Sequence, residues 1–364
     1  MKAAVLNRQP GDLDIEDLRI DDPGRGEVLV RTVGAGLCHS DLHFMEGTFP
    51  LKVPAVLGHE SAGVVEAVGE GVTHVGPGDH VVCCLSMFCG TCRQCLGGFP
   101  HRCTNPYVTD RPRGGPPRLS RDDGTPVRQM ARLGGFAEMM LVHENAVVKI
   151  GEDMPLDKAA LIGCGVLTGT GAVFRTAGVT PGSRVCVIGA GGIGLAAIQA
   201  ARIAGAGMVV VVDVVDAKLD TARHLGATAA VNAAETPDVV AAVRELSGGG
   251  VDYSFEAIGR KVTAEQAFQM LDIGGTATVI GMVPDNERLE ITAMELLSEK
   301  RLQGSMMGSN QFRVDIPRLI AMYEDGRLDL DSMVSKTLTL DEVNEGYALM
   351  KRGEVARSVI SFPP

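Results

Sequence analysis

The sequence predicts an α/β chain in two parts, a β-rich first domain and a doubly wound parallel sheet. Three observations lead to that class. Before about residue 166, short valine-rich runs are separated by proline and glycine turns. Beyond it, apolar runs of strand length alternate with helical periodicity, the mark of a parallel sheet covered on both faces. The first of those later strands leads straight into a glycine-rich turn that opens a helix.

In order along the chain, Glu27–Val33, Ala62–Val68, His80–Cys83 and Glu138–Val142 read as strands, with Pro23-Gly24 and Pro77-Gly78-Asp79 as turns. Residues 104–133 form a Pro-, Arg- and Gly-rich insertion without clear periodicity, expected as an ordered surface loop or subunit-contact lobe, with solvated disorder as the alternative. Then Arg184–Ile188 reads as a buried strand, Ile193–Ala204 as a helix and Met208–Val212 as a second strand. Helices at Ala217–Leu225 and Val239–Leu246 and strands at Asp252–Glu256 and Thr276–Ile280 follow. Near residue 300 the alternation fades. The expected domains are therefore 1–165, 166–306, and a tail, 307–364, that returns to the first.

Composition narrows the function. The 364 residues suffice for about two domains. A formal net charge of −11 argues against nucleic acid, whose phosphates need a basic stripe. With no tryptophan and 4% aromatic residues, a broad stacking platform is not expected. No stretch near twenty uninterrupted apolar residues occurs, so no membrane span is expected. The start soon reaches Asp12, Asp14, Glu16 and Asp17, unlike a secretory signal. Nine cysteines at metal-like spacing then point to a reducing cytoplasm rather than a disulfide framework.

The glycine-rich turn reads Gly189-Ala190-Gly191-Gly192-Ile193-Gly194. Its glycines permit a tight turn, close approach of a pyrophosphate and close helix–strand packing, and the helix N-terminus turns N–H groups toward the anion. Asp213 ends the next strand, where its carboxylate would accept hydrogen bonds from ribose hydroxyls and repel a 2′-phosphate. The expected cofactor is NAD rather than NADP. Lys218 could bond the same ribose or be a solvated lysine, while Asp216 reads better as a helix cap.

Cys89, Cys92, Cys95 and Cys103 form a C-x2-C-x2-C-x7-C run. Four thiolates complete a tetrahedron around zinc and leave no exchangeable position, so this site is expected to be structural. Cys38, His59 and Cys164 are widely spaced. Each also reads as a structural residue, a small buried thiol or a satisfied histidine. Cys83, Cys84 and Cys186 read as packing residues.

At these residues the chain resembles the zinc-dependent alcohol dehydrogenases of the medium-chain dehydrogenase/reductase superfamily. Gly58-His59-Glu60-x2-Gly63-x5-Gly69-x2-Val72 matches that family's zinc signature, and the cysteine run and glycine turn fall in the family's order. The resemblance implies a GroES-like catalytic domain beside a Rossmann NAD-binding domain, with two zinc ions per subunit, one catalytic and one structural. It implies Cys38, His59 and Cys164 as ligands of the catalytic zinc, which acts as a Lewis acid toward an alcohol or aldehyde oxygen. Ser40 matches the hydroxyl that bonds the substrate oxygen, and His43 the outer histidine of a proton relay, with a cofactor ribose hydroxyl between them. Asp41 matches the partner that fixes the His59 tautomer, and Glu60 the acidic residue behind the metal.

Around NAD, the resemblance implies Thr168 and Ile193 against the nicotinamide, Arg260 beside the adenine and Arg357 at the pyrophosphate. His39 stands where relatives often carry arginine, which would make cofactor affinity more dependent on pH. Alignment of the flanking motifs with the family suggests that Leu85, Met130, Met282 and Met306 line an apolar, adaptable substrate pocket, though each also reads as an ordinary core residue. The leading function is reversible hydride transfer between a primary alcohol, aromatic or medium-chain, and NAD. Two alternatives share the fold: a formaldehyde dehydrogenase acting on a thiol adduct, with Arg111, Arg113 and Arg118 to bind the charged thiol, and a nicotinoprotein that retains its NAD. A homodimer is expected in preference to a tetramer.

Overall fold

The computed structural model describes residues 1–363. The chain forms two compact units, one of residues 1–164, 311–321 and the segment from Val334 onward, the other of residues 165–310 and 322–333.

The first unit is built on two sheets. One has six short strands in the order Leu13–Asp17, Lys2–Leu6, Ala55–Val56, Pro126–Gln129, Leu119–Ser120, Arg19–Ile20. The other has seven and centres on Glu27–Gly36, which pairs antiparallel with Glu60–Val68, Met139–His143 and Ser358–Ser361. That register sets Gly36 opposite Glu60, and a β-carbon at Gly36 would come within 2.5 Å of the Glu60 carboxylate. The main core gathers Leu6, Leu37, Leu57, Phe136, Tyr347 and Phe362, and each fully buried side chain of this kind stabilises the fold by about 1.5–3 kcal/mol.

The insertion is ordered. It contributes the strands Leu119–Ser120 and Pro126–Gln129, and its arginines tie it to the sheet before it. Arg111 and Arg118 both reach Glu27, and Arg121 reaches Glu16.

The second unit is a six-stranded, wholly parallel sheet, in the order Ala229–Asn232, Met208–Asp213, Arg184–Ile188, Val251–Glu256, Leu271–Val279, Arg301–Gly304. Counted in chain sequence this is 3-2-1-4-5-6, the doubly wound dinucleotide-binding order. The four valines of Met208–Asp213 are all buried, as expected for a strand covered on both faces. Helices Gly192–Ile203, Asp216–His224, Val239–Leu246 and Lys261–Gln269 are the crossovers.

Three features lie outside what the sequence leads one to expect. A helical run, Leu156–Ala177, has the length and apolar character of a membrane span, yet 83% of its apolar window is buried within the fold, as in a core helix. The tail forms two further helices, Phe312–Glu324 and Val343–Lys351. Nor does the tail return entirely to the first unit: residues 322–333 group with the second, where Leu328 and Leu330 are buried. The Gln199 side chain holds that stretch, donating to the Asp329 carbonyl at 3.0 Å and accepting from its N–H at 2.7 Å.

Candidate active site and metal centres

Cys38 ends the central strand's excursion and stands just before the short helix His39–Met45. His59 lies between Gly58 and the strand Glu60–Val68, where Gly58 has φ +89° and leaves no room for a β-carbon against Phe136. Cys164 sits in a π-helical turn, Ile162–Val166, within the long helical run, and such widened turns frequently mark functional positions. From these three places the two thiols and the imidazole converge, with Glu60, to within 4.8 Å of one another, all buried.

Asp41, in the first turn of that short helix, faces the Nδ1 side of the His59 ring. Its Oδ1 and Oδ2 lie 3.2 and 3.1 Å from Nδ1, and Oδ1 also accepts the Gly58 N–H at 3.0 Å. Asp41 thus claims the Nδ1 proton and leaves Nε2 as the ring nitrogen that faces the thiols. A hydrogen bond from Cys164 holds the Cys38 thiol well below its ordinary value against the opposing effect of burial, with the charges of His59 and Arg357 adding to it. Burial would lower His59, but Asp41 and then Cys38 outweigh it and raise the imidazole to about 10. The pocket stabilises thiolate beside positive charge, the environment that a divalent cation matches.

Glu60 is fully buried and ion-paired with Arg357, itself almost wholly buried. Arg357 is thus placed behind the two cysteines and the histidine.

The other cysteine cluster is closer to solvent. Cys89, Cys92, Cys95 and Cys103 bring their sulfurs within 4.8 Å of one another, and all nine cysteines of the chain are free thiols. Backbone N–H groups of Thr91 and Cys92 donate to Cys89 Sγ at 3.4 and 3.3 Å, and that of Cys89 to Cys103 Sγ at 3.3 Å. Such bonds lower Cys92 to about 5, led by the Cys95 N–H, while desolvation and its thiol neighbours push Cys95 up to about 12. Four thiolates cannot share this space without a cation, and the donor set fits zinc.

In the second unit, Gly189 adopts φ +99° at the end of its strand. A β-carbon on Gly194 would lie 1.7 Å from the Gly189 carbonyl oxygen, so helix and strand can approach this closely only through glycine. At Gly191, which precedes the helix Gly192–Ile203, an added β-carbon meets nothing within 4 Å. No contact among the described residues requires that glycine, and the open space above a helix N-terminus suits a pyrophosphate. Asp213 accepts N–H bonds from Ala190, Val214 and Val215 at 2.7, 2.8 and 3.1 Å, which places its carboxylate at the mouth of the glycine turn. Lys218 lies half-buried on the helix Asp216–His224, and Asp216 in its first turn accepts from Asn232. Arg260 is exposed just ahead of Lys261–Gln269, Thr168 bonds Met307 Sδ at 3.6 Å, and Ile193 is half-buried in the turn.

The family comparisons decide what these sites belong to. The alcohol dehydrogenase GroES-like domain matches residues 24–152, and the zinc-binding dehydrogenase domain matches 192–324. An NDMA-dependent alcohol dehydrogenase of Amycolatopsis methanolica is 40% identical over 369 residues, covering 99% of this chain and 98% of the relative. The chain belongs to the zinc-dependent alcohol dehydrogenases. An S-(hydroxymethyl)glutathione dehydrogenase of Paracoccus denitrificans is 36% identical over 372 residues and 99% of each chain. Among solved structures, the benzyl alcohol dehydrogenase of Acinetobacter calcoaceticus superposes with a TM-score of 0.91 at 33% identity, covering 100% of this chain and 99% of the other. As a zinc-dependent alcohol dehydrogenase, the chain is an NAD-dependent oxidoreductase with zinc as its metal, and the cysteine clusters and glycine turn fit those groups.

Ser40 and His43 lie three residues apart on the short helix, a spacing that stacks side chains on one face. The Nδ1 of His43 is buried without a hydrogen-bond partner among the described residues, and Phe49 packs edge-on to its ring at 5.6 Å. His39 is exposed at the helix start, its ring 5.9 Å from that of His43. Of the four residues expected at the substrate, Met130 is buried in the main core and Leu85 packs half-buried on a second cluster of the same unit. Met282 and Met306 belong to the other unit and are 41% and 59% exposed.

One residue at the metal centre had no sequence signal. Tyr347, on the helix Val343–Lys351, is buried in the core beside Asp41 and Cys38. Burial first, then the Asp41 charge, raises its hydroxyl well above the ordinary range. In the sequence it is one apolar position among several on an amphipathic helix.

Proposed function

We propose that the enzyme interconverts free primary alcohols, aromatic or medium-chain, and their aldehydes with NAD. The observation that carries this reading is the convergence of Cys38, His59 and Cys164, with Asp41 fixing the imidazole, next to a helix that carries Ser40 and His43. The three ligands leave a fourth position for the substrate oxygen. When bound, zinc supplies Lewis-acid polarisation of that oxygen and NAD supplies the hydride acceptor.

Within that frame each residue has one task. Asp41 keeps the proton on Nδ1 of His59, so that Nε2 remains a ligand. The Ser40 hydroxyl accepts the proton of the substrate hydroxyl while passing on its own, which only a group that both donates and accepts can do. His43 receives it at the buried Nδ1 and connects the site to solvent. Asp213 binds the adenosine ribose, and the glycine turn with the helix behind it holds the pyrophosphate. Cys89, Cys92, Cys95 and Cys103 hold a zinc that fixes their lobe.

A free alcohol is favoured over a thiol adduct by the state of the insertion's arginines. The Arg111 guanidinium bonds Glu27, Asp21 and two carbonyls, and Arg118 bonds Glu27 and the Thr109 carbonyl. Of the three arginines in question, only Arg113 stands exposed. A second reading, in which NAD stays bound and is reoxidised by another carbonyl-type acceptor, draws support from the NDMA-dependent relative. We further place the enzyme in the cytoplasm as a homodimer. The terminal strand Arg301–Gly304, near Met294 and Leu297 at 71% and 80% exposure, offers an edge for a second copy.

The test is NAD reduction by purified enzyme across primary, secondary, aromatic and terpenoid alcohols, with and without low-molecular-weight thiols plus formaldehyde. Turnover of free primary alcohols is expected. Silence until thiol and formaldehyde are added would transfer the assignment to the adduct dehydrogenase, and NAD retained through extensive dialysis would establish the second reading.

A further inference from the structure

The carboxylate that orients His59 is incompletely satisfied. Oδ1 of Asp41 accepts from Gly58 and faces the one proton on Nδ1 of His59; Oδ2, although close to the same nitrogen, is buried with no hydrogen bond. A single N–H cannot serve both oxygens, and a buried carboxylate oxygen without a donor is costly. The Tyr347 hydroxyl is the complementary case, a buried donor with no acceptor in hydrogen-bond geometry.

The two orphans share a pocket. The Tyr347 ring meets Phe136 edge-on at 6.3 Å, and Phe136 packs directly under Gly58, the residue before His59. Gly346, beside Tyr347, is so close to Leu37 that a β-carbon would lie 2.5 Å from Leu37 Cδ2, and Leu37 precedes Cys38. These contacts set the buried Tyr347 ring against the two segments that carry Cys38 and His59.

We propose that Tyr347 is a positioning residue for the metal centre: its hydroxyl donates to Oδ2 of Asp41 and fixes the carboxylate that orients His59. The inference rests on reading Cys38, His59 and Cys164 as zinc ligands. Through Asp41 the hydroxyl sets the direction of the Nε2 lone pair, and so metal affinity, without touching substrate or cofactor.

The experiment is chelator-competition titration of zinc on the full chain, paired with the visible spectrum of the cobalt-substituted enzyme. Tyr347→Phe keeps the ring and removes the donor. The expected result is about tenfold weaker binding of one zinc, the other unchanged, with a shifted cobalt spectrum. In an Asp41→Asn background the same substitution should cause no further loss, because its intermediary is already altered. Affinity within twofold of wild type in a folded Tyr347→Phe protein, or an equal additional loss beside Asp41→Asn, would overturn the proposal. Should the Phe variant not fold, Tyr347→Met, also without a donor, is read by the same two outcomes. Wild-type protein binding only one zinc per chain would remove the ligand reading itself; two zincs with an indifferent Tyr347→Phe would remove the tyrosine's role alone.

Discussion

Arg111 and Glu27 meet across 84 positions of chain, Nη2 to Oε2 at 2.6 Å, and this pair pins the insertion to the central sheet. Arg118 adds a bond to Oε1 at 2.7 Å and the Gly24 N–H one to Oε2 at 2.8 Å. Against the opposing effect of burial, these partners hold the Glu27 carboxyl at about 2 rather than 4.5. The folded state prefers the carboxylate, so this stabilisation is complete above pH 4.5 and fades as pH falls from there through about 2. Glu27→Gln removes the charge that two guanidinium groups share, leaving them only Asp21 and backbone carbonyls, and should destabilise the fold by about 3 kcal/mol. Urea unfolding at neutral pH measures that loss, and a series between pH 5 and 2 should show the variant losing less stability than wild type. Equal acid sensitivity would refute the role given to Glu27.

The two cysteine clusters should separate in mutagenesis. Cys38→Ala is expected to abolish turnover while leaving a folded protein that binds NAD and one zinc. Cys92→Ala should lower the melting temperature and loosen residues 89–103, because a structural metal contributes folding energy. Metal analysis and thermal melts on both variants check this. Indistinguishable melting temperatures would count against the division of labour.

At the glycine turn, two substitutions of the same size should fail in different ways. Gly194→Ala drives a methyl to 1.7 Å from a carbonyl oxygen and should cost about 3 kcal/mol or more of stability. Gly191→Ala meets no atom of the chain within 4 Å, so stability should hold while the NAD dissociation constant rises. Calorimetric binding beside denaturant unfolding distinguishes them. Unimpaired NAD binding by Gly191→Ala would move the pyrophosphate elsewhere.

Asp213→Gly should relax discrimination against NADP by about tenfold, equivalent to about 1.4 kcal/mol. Its carboxylate also braces the turn through Ala190, Val214 and Val215, so NAD itself should bind less tightly. The ratio of the two dissociation constants is the readout, and an unchanged ratio would contradict the ribose contact.

The parts visible in the sequence are those encoded locally. Arg184–Ile188 and Val239–Leu246 have the limits their apolar runs suggest, and the four-cysteine run closes on itself because its ligands lie within 89–103. Phe312–Glu324 was harder to see, since Pro317 interrupts its helical signature. The Glu27 network and the Tyr347–Asp41 neighbourhood depend on residues far apart in sequence, and no local pattern distinguishes a pinned arginine from a solvated one. Met130 packs in the main core, and the sequence around a methionine does not separate a core position from a pocket one.

The pairing of Glu60 with Arg357, and of Gly36 with Val359 in the strand beside it, carries a consequence for biosynthesis. The buried cluster's last ligand, Cys164, is translated long before the arginine that neutralises Glu60. Until residues 357–361 arrive, the central strand has an open edge and the site holds an uncompensated carboxylate. The cysteine lobe draws all four of its thiols from residues 89–103 and can take its metal while translation continues. The two metals would then be acquired in a fixed order, the structural one first and the catalytic one only after the chain's closing strand is in place.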